Sequence, residues 1–243
     1  MPLISRRRLL AGVTAVVPAA SALAQSPRTR FKIVVTGGHP GDPEYGCGGT
    51  VARYTDLGHE VVLLYLNRGE KGCPEKDPNA GSAVRVPEAM KACEILKARP
   101  AFAGQCDGNA IVDPAHSEEF RRLLEAEKPN ALFTHWPIDG HPDHRAISSL
   151  AYDAWLRMGK RFSFYYYEVS NGEDTLMFSP TDYVDISATE ARKRAACYAH
   201  ASQAPDKFYA LQSQVTRFRG LESGYAQAEG FIRHAQSSGH PLP

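Results

Sequence analysis

FKIVVTGGHPGDPEYGCGGT, residues Phe31 to Thr50, is the stretch that decides the fold. Its apolar start predicts a buried strand, and its glycine-rich end predicts a helix from about Gly48. The loop between them carries His39, Asp42 and Glu44. Open α/β sheets bind ligands at the carboxyl ends of their strands. This loop is therefore the first candidate for chemistry.

The rest of the chain alternates predicted strands with predicted helices. Asp113 and Pro114 are typical of a helix N-cap and first helical position, and Ser187-Ala188-Thr189-Glu190 predicts a capping box. This alternation favours one α/β domain with a mainly parallel sheet covered by helices on both faces. The predicted strands are 31–35, 59–66, 101–104, 131–134, 162–167 and 183–186; the helices are 48–57, 85–96, 113–128, 145–158 and 187–199, with 207–235 helical in part and 73–82 a surface loop.

The N-terminus predicts a removable export signal. A triple arginine precedes a short apolar stretch that Pro18 interrupts, and Ala22-Leu23-Ala24 fits a cleavage site. A membrane anchor is the alternative, but it needs about 20 unbroken apolar residues. We expect residues 1–24 to be a twin-arginine signal peptide that engages the twin-arginine export machinery and delivers the protein to the periplasm or medium. Residues 25–243 would form the single mature domain.

Charge and cysteine content exclude several classes of protein. Loss of the leader removes three arginines, so 28 basic residues fall to 25 against 27 acidic ones. This balance argues against a nucleic acid or an anionic membrane as the main partner, and no later apolar run is long enough for a stable membrane span. The five cysteines are odd in number and lack CxxC spacing. A disulfide framework or thiolate zinc site is therefore not expected, and at most one pair, involving Cys73, would be oxidised.

A second ligand-rich loop follows the predicted strand 131–134. It runs from His135 to His144 and contains His141, Asp143 and His144. If the two loops meet at one sheet edge, they offer two histidines and a carboxylate with an open position, which suits a hydrolytic zinc ion. The plainer interpretation is that the acidic residues only cap the following helices.

Seven motifs follow one another along the chain: His39-Pro40-x-Asp42, Gly46-Cys47-Gly48-Gly49-Thr50, Asn67-Arg68-Gly69-Glu70, Arg85 to Leu96, His141-Pro142-Asp143-His144-Arg145-Ala146, His200-Ala201-Ser202-Gln203 and Gly224-Tyr225-Ala226-Gln227-Ala228. In this order they resemble the PIG-L/LmbE family of zinc-dependent N-deacetylases. The resemblance spans nearly all of the mature chain and implies a Rossmann-like fold. It also implies one catalytic Zn²⁺, with other divalent metals possible, and a small-molecule N-acylated sugar or conjugate as substrate.

The resemblance implies a role for each matching residue. The metal ligands would be His39, Asp42 and His144. His141 would face the substrate carbonyl as an electrophile or acid, and Asp143 would orient His141.

Two further residues would line the substrate pocket by the same resemblance, namely Arg68 and Asp107. A salt bridge between Arg68 and Glu70 is an equally good interpretation of the first. Asp107 precedes Gly108, so a turn role is the stronger interpretation of the second.

One position departs from the family pattern. The family's first motif is His-Pro-Asp-Asp-Glu, and its first aspartate serves as general base, whereas this chain has Gly41 there. We hypothesise that Asp139 supplies the missing carboxylate, with Glu44 as second choice. The alternative function is a catalytically impaired zinc- or carbohydrate-binding protein. A nucleotide-binding module is disfavoured because no G-x-G-x-x-G follows the first strand.

Overall fold

The computed structural model describes residues 29–71, 78–169, 175–239 and 242–243. The predicted leader at 1–24 and Cys73 lie outside these residues. Among the described residues, no helix combines the length and apolar character needed to cross a membrane. The strands are β1 (Lys32–Gly37), β2 (Glu60–Tyr65), β3 (Arg99–Phe102), β4 (Ala131–His135), β5 (Ser163–Tyr167), β6 (Asp182–Asp185) and β7 (Ala228–Arg233). The helices are α1 (Asp42–Asp56), α2 (Pro78–Leu96), α3 (Pro114–Glu127), α4 (Pro142–Arg157), α5 (Glu190–Tyr198) and α6 (Pro205–Ser223), with a 3₁₀ turn at Ala201–Gln203.

The seven strands form one sheet in the order β3-β2-β1-β4-β5-β7-β6. The first five strands in that order are parallel, and β7 pairs antiparallel with both β5 and β6. This confirms the predicted mainly parallel α/β sheet. The chain leaves β1 toward β2 on one side and enters β4 on the other, so the strand order reverses between β1 and β4. A crevice forms at such a reversal.

Helices cover both faces of the sheet because the central strands are apolar on both sides. Ile33 and Val35 pack with α1, α2 and α5, whereas Val34 packs with α3 and α4. The tyrosines of β5 alternate in the same way: Tyr165 and Tyr167 lie in the first cluster and Tyr166 in the second. These rings belong to the core, as their alternation predicts.

Helix α1 begins six residues earlier than predicted, and its glycines lie inside it. A Cβ on Gly46 would lie 2.2 Å from Tyr167 Cδ2, and one on Gly49 would lie 2.6 Å from Ile186 Cβ. Glycine in a helix costs about 1 kcal/mol relative to alanine. Here it lets α1 approach β5 and the end of β6 closely, which fixes the position of Asp42 at the start of the helix.

The structure corrects three local predictions, at α2, at the start of α5 and at β7. Helix α2 already begins at Pro78, so only part of 73–82 remains a candidate loop. The predicted capping box is wrong, because Thr189 rather than Ser187 precedes α5 and its hydroxyl donates to Gly49 O at 2.9 Å instead of capping. Residues 228–233 form strand β7 rather than helix.

Strand β7 was missed because its sequence contains a charge that becomes buried. Glu229 is 3% exposed and pairs with the fully buried Lys193 of α5. Its two carboxylate oxygens also accept from the backbone N–H groups of Gly49 and Thr50 at 2.9 and 2.8 Å. A buried charge needs such partners, and all of them come from distant parts of the chain.

Candidate active site

The two ligand-rich loops meet at the crevice between β1 and β4. His39 follows β1, and Asp42 is the first residue of α1. The loop after β4 ends at His141, which caps α4, and His144 lies in the first turn of that helix. The His39 and His144 ring centroids are 5.4 Å apart. The predicted convergence of the two loops is confirmed.

Asp42 lies between the two histidines proposed as ligands. Its Oδ2 is 3.3 Å from His39 Nδ1 and 3.2 Å from His144 Nε2. Zinc bonds of about 2.0–2.2 Å imply about 3.3 Å between neighbouring donors of a tetrahedron. The two distances from Asp42 therefore fit a small divalent cation. Among the described residues, three groups have donor atoms within 4.8 Å of one another, namely His39–His141–His144, Asp42–His135–His144 and His39–Asp107–Asp143. The predicted set shares two members with each of the first two groups.

Each of the two histidines meets a carboxylate at its other ring nitrogen. His39 Nε2 lies 3.1 Å from Asp143 Oδ2, and His144 Nδ1 lies 3.1 Å from Asp139 Oδ1. Metal-binding histidines commonly donate their second N–H to a carboxylate, which fixes the ring and raises its basicity. The donor chemistry of the site thus extends to a supporting layer of carboxylates that suits a metal centre.

Asp139 is placed to support His144 rather than to take a proton from water. Its side chain is 0% exposed. Oδ1 also accepts from the His141 backbone N–H at 2.8 Å, and Oδ2 accepts from the Thr175 hydroxyl at 3.0 Å. With both oxygens engaged, the geometry argues against the general-base hypothesis for Asp139.

Glu44, the second choice of base, is equally enclosed. Its residue exposure is 0%, and its Oε1 accepts from Tyr65 Oη at 2.7 Å and lies 2.9 Å from His200 Nε2. Its Oε2 accepts from the backbone N–H of Gly41 at 3.2 Å. Glu44 therefore holds the loop and His200 in place.

Gly41 differs from an aspartate in backbone conformation as well as in side chain. Its φ is +112°, a region that L side chains rarely adopt. A Cβ at this position would meet nothing closer than His200 Cδ2 at 3.8 Å. The position has room for a side chain, but its backbone is one that favours glycine.

His141 is placed to donate a hydrogen bond into the cavity. Its Nδ1 accepts from the backbone N–H of Asp143 at 3.2 Å, so the neutral ring carries its proton on Nε2. Burial, followed by the nearby His39 and His144, lowers the pKa of His141. The predicted orienting contact from Asp143 to His141 is made by the backbone N–H of Asp143 rather than by its carboxylate.

The Asp143 carboxylate is directed elsewhere. Besides His39, its Oδ2 accepts from Asn67 Nδ2 at 3.1 Å and from the backbone N–H of Gly108 at 2.7 Å. The contact with Gly108 joins the loop after β3 to the start of α4. Asp143 therefore ties three loops to His39.

Electrostatics favour a cation among these groups. Burial alone would lower the pKa of His144, but Asp42 and Asp139 raise it to about 9. Burial likewise opposes protonation of His39, whereas hydrogen bonds to carboxylates, led by Asp107 and Asp143, raise its pKa well above the usual value. Positive charge is thus stabilised at the atoms that would bind a metal, and metal binding would displace those protons.

Sequence reasoning assigned no role to His135, the last residue of β4. Its Nε2 accepts from the backbone N–H of Gly38 and lies 3.2 Å from Asp42 Oδ2. Its ring stacks on His144 with centroids 4.0 Å apart. Burial, together with the charge of His144, lowers the pKa of His135 to about 4. A buried histidine at a strand end carries no sequence signal that separates it from a core residue.

A cavity of about 450 Å³ opens over the site. Asp107 lines it as predicted, and its Oδ1 lies 3.3 Å from His39 Nε2. Arg68 is exposed and is not among the residues that line the cavity, so the structure does not support its predicted pocket role. The backbone N–H of Arg68 donates a hydrogen bond to the Glu70 carboxylate. The lining residues are His39, Pro40, Gly41, Asp42, Tyr45, Lys71, Arg85, Asp107, Gly108, His141, His144, Val169, His200, Gln203, Phe208 and Gln212.

Arg85 and His200 are cavity residues without a role in the sequence prediction. Arg85 is 4% exposed, and its guanidinium donates to the carbonyl oxygen of Pro40, which holds the loop after β1. His200 is fully buried, and its Nδ1 has no hydrogen-bond partner among the described residues. Both residues lie within motifs of the family resemblance, which is the signal that could have marked them.

Comparisons with known proteins identify a matching family model and a relative of similar length. The family model described as PIG-L, GlcNAc-PI de-N-acetylase, matches residues 34–155. The diacetylchitobiose deacetylase of Thermococcus kodakarensis is 27% identical over 221 residues, covering 82% of this chain and 81% of that protein.

Solved structures share the fold. The conserved protein TT1542 from Thermus thermophilus has a TM-score of 0.74 at 28% identity, covering 88% of this chain and 99% of that one. GalB, a 4-carboxy-2-hydroxymuconate hydratase from Pseudomonas putida KT2440, also has a TM-score of 0.74, at 20% identity, and covers 88% of this chain and 100% of its own. Since the last protein is a hydratase, the fold alone does not select a reaction.

Proposed function

The chain belongs to the PIG-L family, and on that basis we propose that it is a zinc-dependent N-deacetylase acting on an amino sugar or a related small amide. The observation that carries the proposal is the position of Asp42 Oδ2 between His39 Nδ1 and His144 Nε2. Each of these imidazoles is backed by a carboxylate. The deacetylase named among the relatives supports the reaction class.

His39, Asp42 and His144 would hold the metal. A zinc ion bound there would supply a Lewis acid that activates water and polarises the amide carbonyl. His141, with its proton on Nε2, would donate to the carbonyl oxygen as negative charge develops there. Asp139 and Asp143 would keep the ligand rings oriented.

The absence of a carboxylate at Gly41 predicts slow turnover. General-base assistance is typically worth about 10²- to 10⁴-fold, and Asp139 and Glu44 have their oxygens engaged. This observation favours the second candidate function, a metal- and sugar-binding protein with impaired catalysis. The two candidates differ in whether acetate and amine are formed, not in whether metal or sugar binds.

The cavity suits a ligand of about one sugar unit. Its volume of about 450 Å³ lies at the small end of ligand pockets, which span about 300–1,000 Å³. Gln203 and Gln212 offer amide groups for hydroxyls, and Phe208 offers an apolar surface. These side chains would bind the sugar while the acetamido group points toward His141.

We also propose that the protein works outside the cytoplasm. The support is the Ser5-Arg6-Arg7-Arg8-Leu9-Leu10 sequence followed by an apolar stretch. Replacing Arg6, Arg7 and Arg8 by lysine should retain the protein in the cytoplasm, as measured by cell fractionation. Unchanged export would refute the twin-arginine route.

The test of function measures metal content and amine release together. Purified protein would be loaded with Zn²⁺ and assayed against N-acetylglucosamine and diacetylchitobiose by a fluorogenic amine reaction. The proposal expects slow acetate and amine release that disappears in His144→Ala together with the bound metal. Met90→Ala, on an exposed site of α2, should match the parent protein. Sugar binding without amine release would instead establish the impaired binding protein.

A further inference from the structure

The part of the cavity next to Gly41 is lined by carbon atoms. A Cβ placed on Gly41 would have three ring carbons as its nearest neighbours, namely His200 Cδ2 at 3.8 Å, His200 Cγ at 3.9 Å and Tyr45 Cδ2 at 3.9 Å. All three residues line the cavity, and carbon atoms at these distances are in van der Waals contact. The region beside Gly41 therefore offers apolar contacts directly next to the loop that carries His39 and Asp42.

The apolar surface continues from Tyr45 to Val169. Val169 is 7% exposed, lines the cavity and belongs to the core cluster against which Tyr45 packs. Helix α1 comes close to the end of β5 here, because a Cβ on Gly46 would lie 2.9 Å from the backbone oxygen of Glu168. The apolar wall is defined as Gly41, Tyr45, Val169 and the ring carbons of His200 that face Gly41.

The distance of this wall from the metal ligands sets the size of the group that it can receive. Tyr45 lies three residues after Asp42 in α1, so the two residues share a helix face and are about 4.5 Å apart along the axis. The methyl carbon of an acetyl group is one bond from its carbonyl carbon, whereas the last carbon of an extended butyryl group is about 4 Å away. A four-carbon acyl group therefore spans a distance that acetyl leaves uncovered.

We propose that the protein prefers amides with a linear acyl chain of about four carbons over acetamides, and that the apolar wall receives this chain. This inference rests on the proposed function and specifies the acyl part of the substrate. Hydrolysis of a butyryl amide consumes one water and gives butyrate and the free amine. The sugar would still bind at Gln203 and Gln212, as in the proposed function.

The chemistry of the apolar wall disfavours a charged acyl chain. A carboxylate on the chain, as in a succinyl group, would lose its hydration against ring carbons, which is costly without a hydrogen-bond donor. The backbone N–H of Gly41 already donates to Glu44 Oε2 at 3.2 Å, and the carbonyl oxygen of Pro40 accepts from Arg85. The polar groups of this loop are thus engaged, and the wall suits an aliphatic chain.

Binding of two matched amides tests the inference. The zinc-loaded full chain would be titrated with N-acetylglucosamine and N-butyrylglucosamine by isothermal titration calorimetry, and amine release from both would be followed by the fluorogenic reaction. Full burial of one methylene is worth about fourfold in affinity. The two additional methylenes of the butyryl group, partly buried against the wall, should lower the dissociation constant about tenfold.

Two substitutions should reduce this preference. Gly41→Ala adds a methyl group at the end of the wall nearest the metal ligands, and Val169→Leu adds a methylene at its other end. Each should lower the ratio of the two affinities at least about threefold, because the added carbon occupies space needed by the chain. Val112→Leu makes the second change at a site that is 48% exposed and should leave the ratio unchanged.

The φ of +112° at Gly41 makes Val169→Leu the second, independent arm of the test, since alanine at position 41 is strained. Circular dichroism and thermal melting would confirm that each variant is folded. A ratio that neither folded variant changes would refute the assignment of the wall to the acyl chain.

The outcomes separate this inference from the proposed function. Equal affinities for the two amides, including undetectable binding of both, would overturn the acyl preference, while amine release would still support the deacetylase. Tighter binding of the butyryl compound without amine release from either would support the apolar wall and favour the impaired binding protein. A Val169→Leu variant that weakens both amides equally would show that the wall contacts the sugar, which would refute an acyl site there.

Discussion

Asp139→Asn distinguishes two roles for the carboxylate beside the metal centre, namely support of the ligand His144 and general-base catalysis. The asparagine carbonyl can still accept from the His141 backbone N–H, which Asp139 Oδ1 now binds at 2.8 Å. It can also accept from His144 Nδ1, which lies 3.1 Å from the same oxygen. The substitution therefore keeps the local geometry and removes the negative charge.

The structure sets the expected magnitude. Asp139 lies behind the proposed ligand His144, and losing such a supporting carboxylate typically weakens metal binding about 10- to 100-fold. This corresponds to about 1.4–2.7 kcal/mol. Turnover at saturating zinc should fall less than about tenfold, because no Asp139 oxygen is free to accept a proton from water. A general base would show the reverse pattern, a loss of about 10²- to 10⁴-fold in turnover with metal affinity intact.

The assay combines a chelator competition with turnover at saturating metal. Zinc affinity would be measured against a chromophoric chelator at a fixed pH, and amine release with excess Zn²⁺. Thr175→Val is the control, because it removes the hydroxyl that donates to Asp139 Oδ2 at 3.0 Å but keeps the carboxylate. It should change zinc affinity less than about threefold. A hundredfold loss of turnover in Asp139→Asn at unchanged affinity would refute the supporting role and restore Asp139 as the base.

Three further predictions follow from the core and the metal centre. Gly46→Ala should lower the free energy of unfolding by about 1–3 kcal/mol in urea titrations, because its Cβ would lie 2.2 Å from Tyr167. Gly48→Ala should cost less, because its Cβ would lie 3.0 Å from Lys193 Cγ. Lys193→Met should cost about 3–5 kcal/mol by the same measurement, since it leaves the buried charge of Glu229 unpaired, and equal stability would contradict the ion-pair argument. Removing metal with a chelator should abolish amine release and lower the melting temperature. Excess zinc at about 100 times its dissociation constant should restore about 2.7 kcal/mol of stability. A melting temperature that does not change with zinc would count against a metal site in the folded state.

The elements that sequence predicts well are those specified by local chemistry. The apolar runs of β1, β2 and β4 mark buried parallel strands, and Asp113 before Pro114 caps α3 as expected, with Asp113 Oδ1 accepting from the His116 backbone N–H. Strand β7 could not be predicted, because the backbone N–H groups that bond to the buried Glu229 carboxylate lie about 180 positions away in the sequence. The capping box fails for the same reason: the Thr189 hydroxyl bonds to Gly49 O rather than to its own helix.

The site shows the same division between local motif and long-range geometry. His39, Asp42 and His144 could be placed from their loops because parallel strands end at one sheet edge. The role of Asp139 could not be deduced, since its distance from His144 in sequence says nothing about which ring nitrogen it meets. The pocket role of Arg68 stays a prediction, because a position in a family motif does not fix the direction of a long side chain.

Gly41 separates two features of this site, the metal ligands and the proton acceptor, because the ligands are present and the acceptor expected at position 41 is not. The residues that would hold the metal are all present, together with carboxylates that support them. At Gly41 the φ of +112° disfavours any L residue, so an aspartate there would require the turn between His39 and Asp42 to change shape. The difference is therefore built into the backbone of the loop, and the neighbouring Glu44 reinforces it by accepting the Gly41 N–H. Under the proposed function, a site built in this way would retain binding and carbonyl activation by His141 while losing most general-base assistance, so metal affinity and turnover must be measured separately.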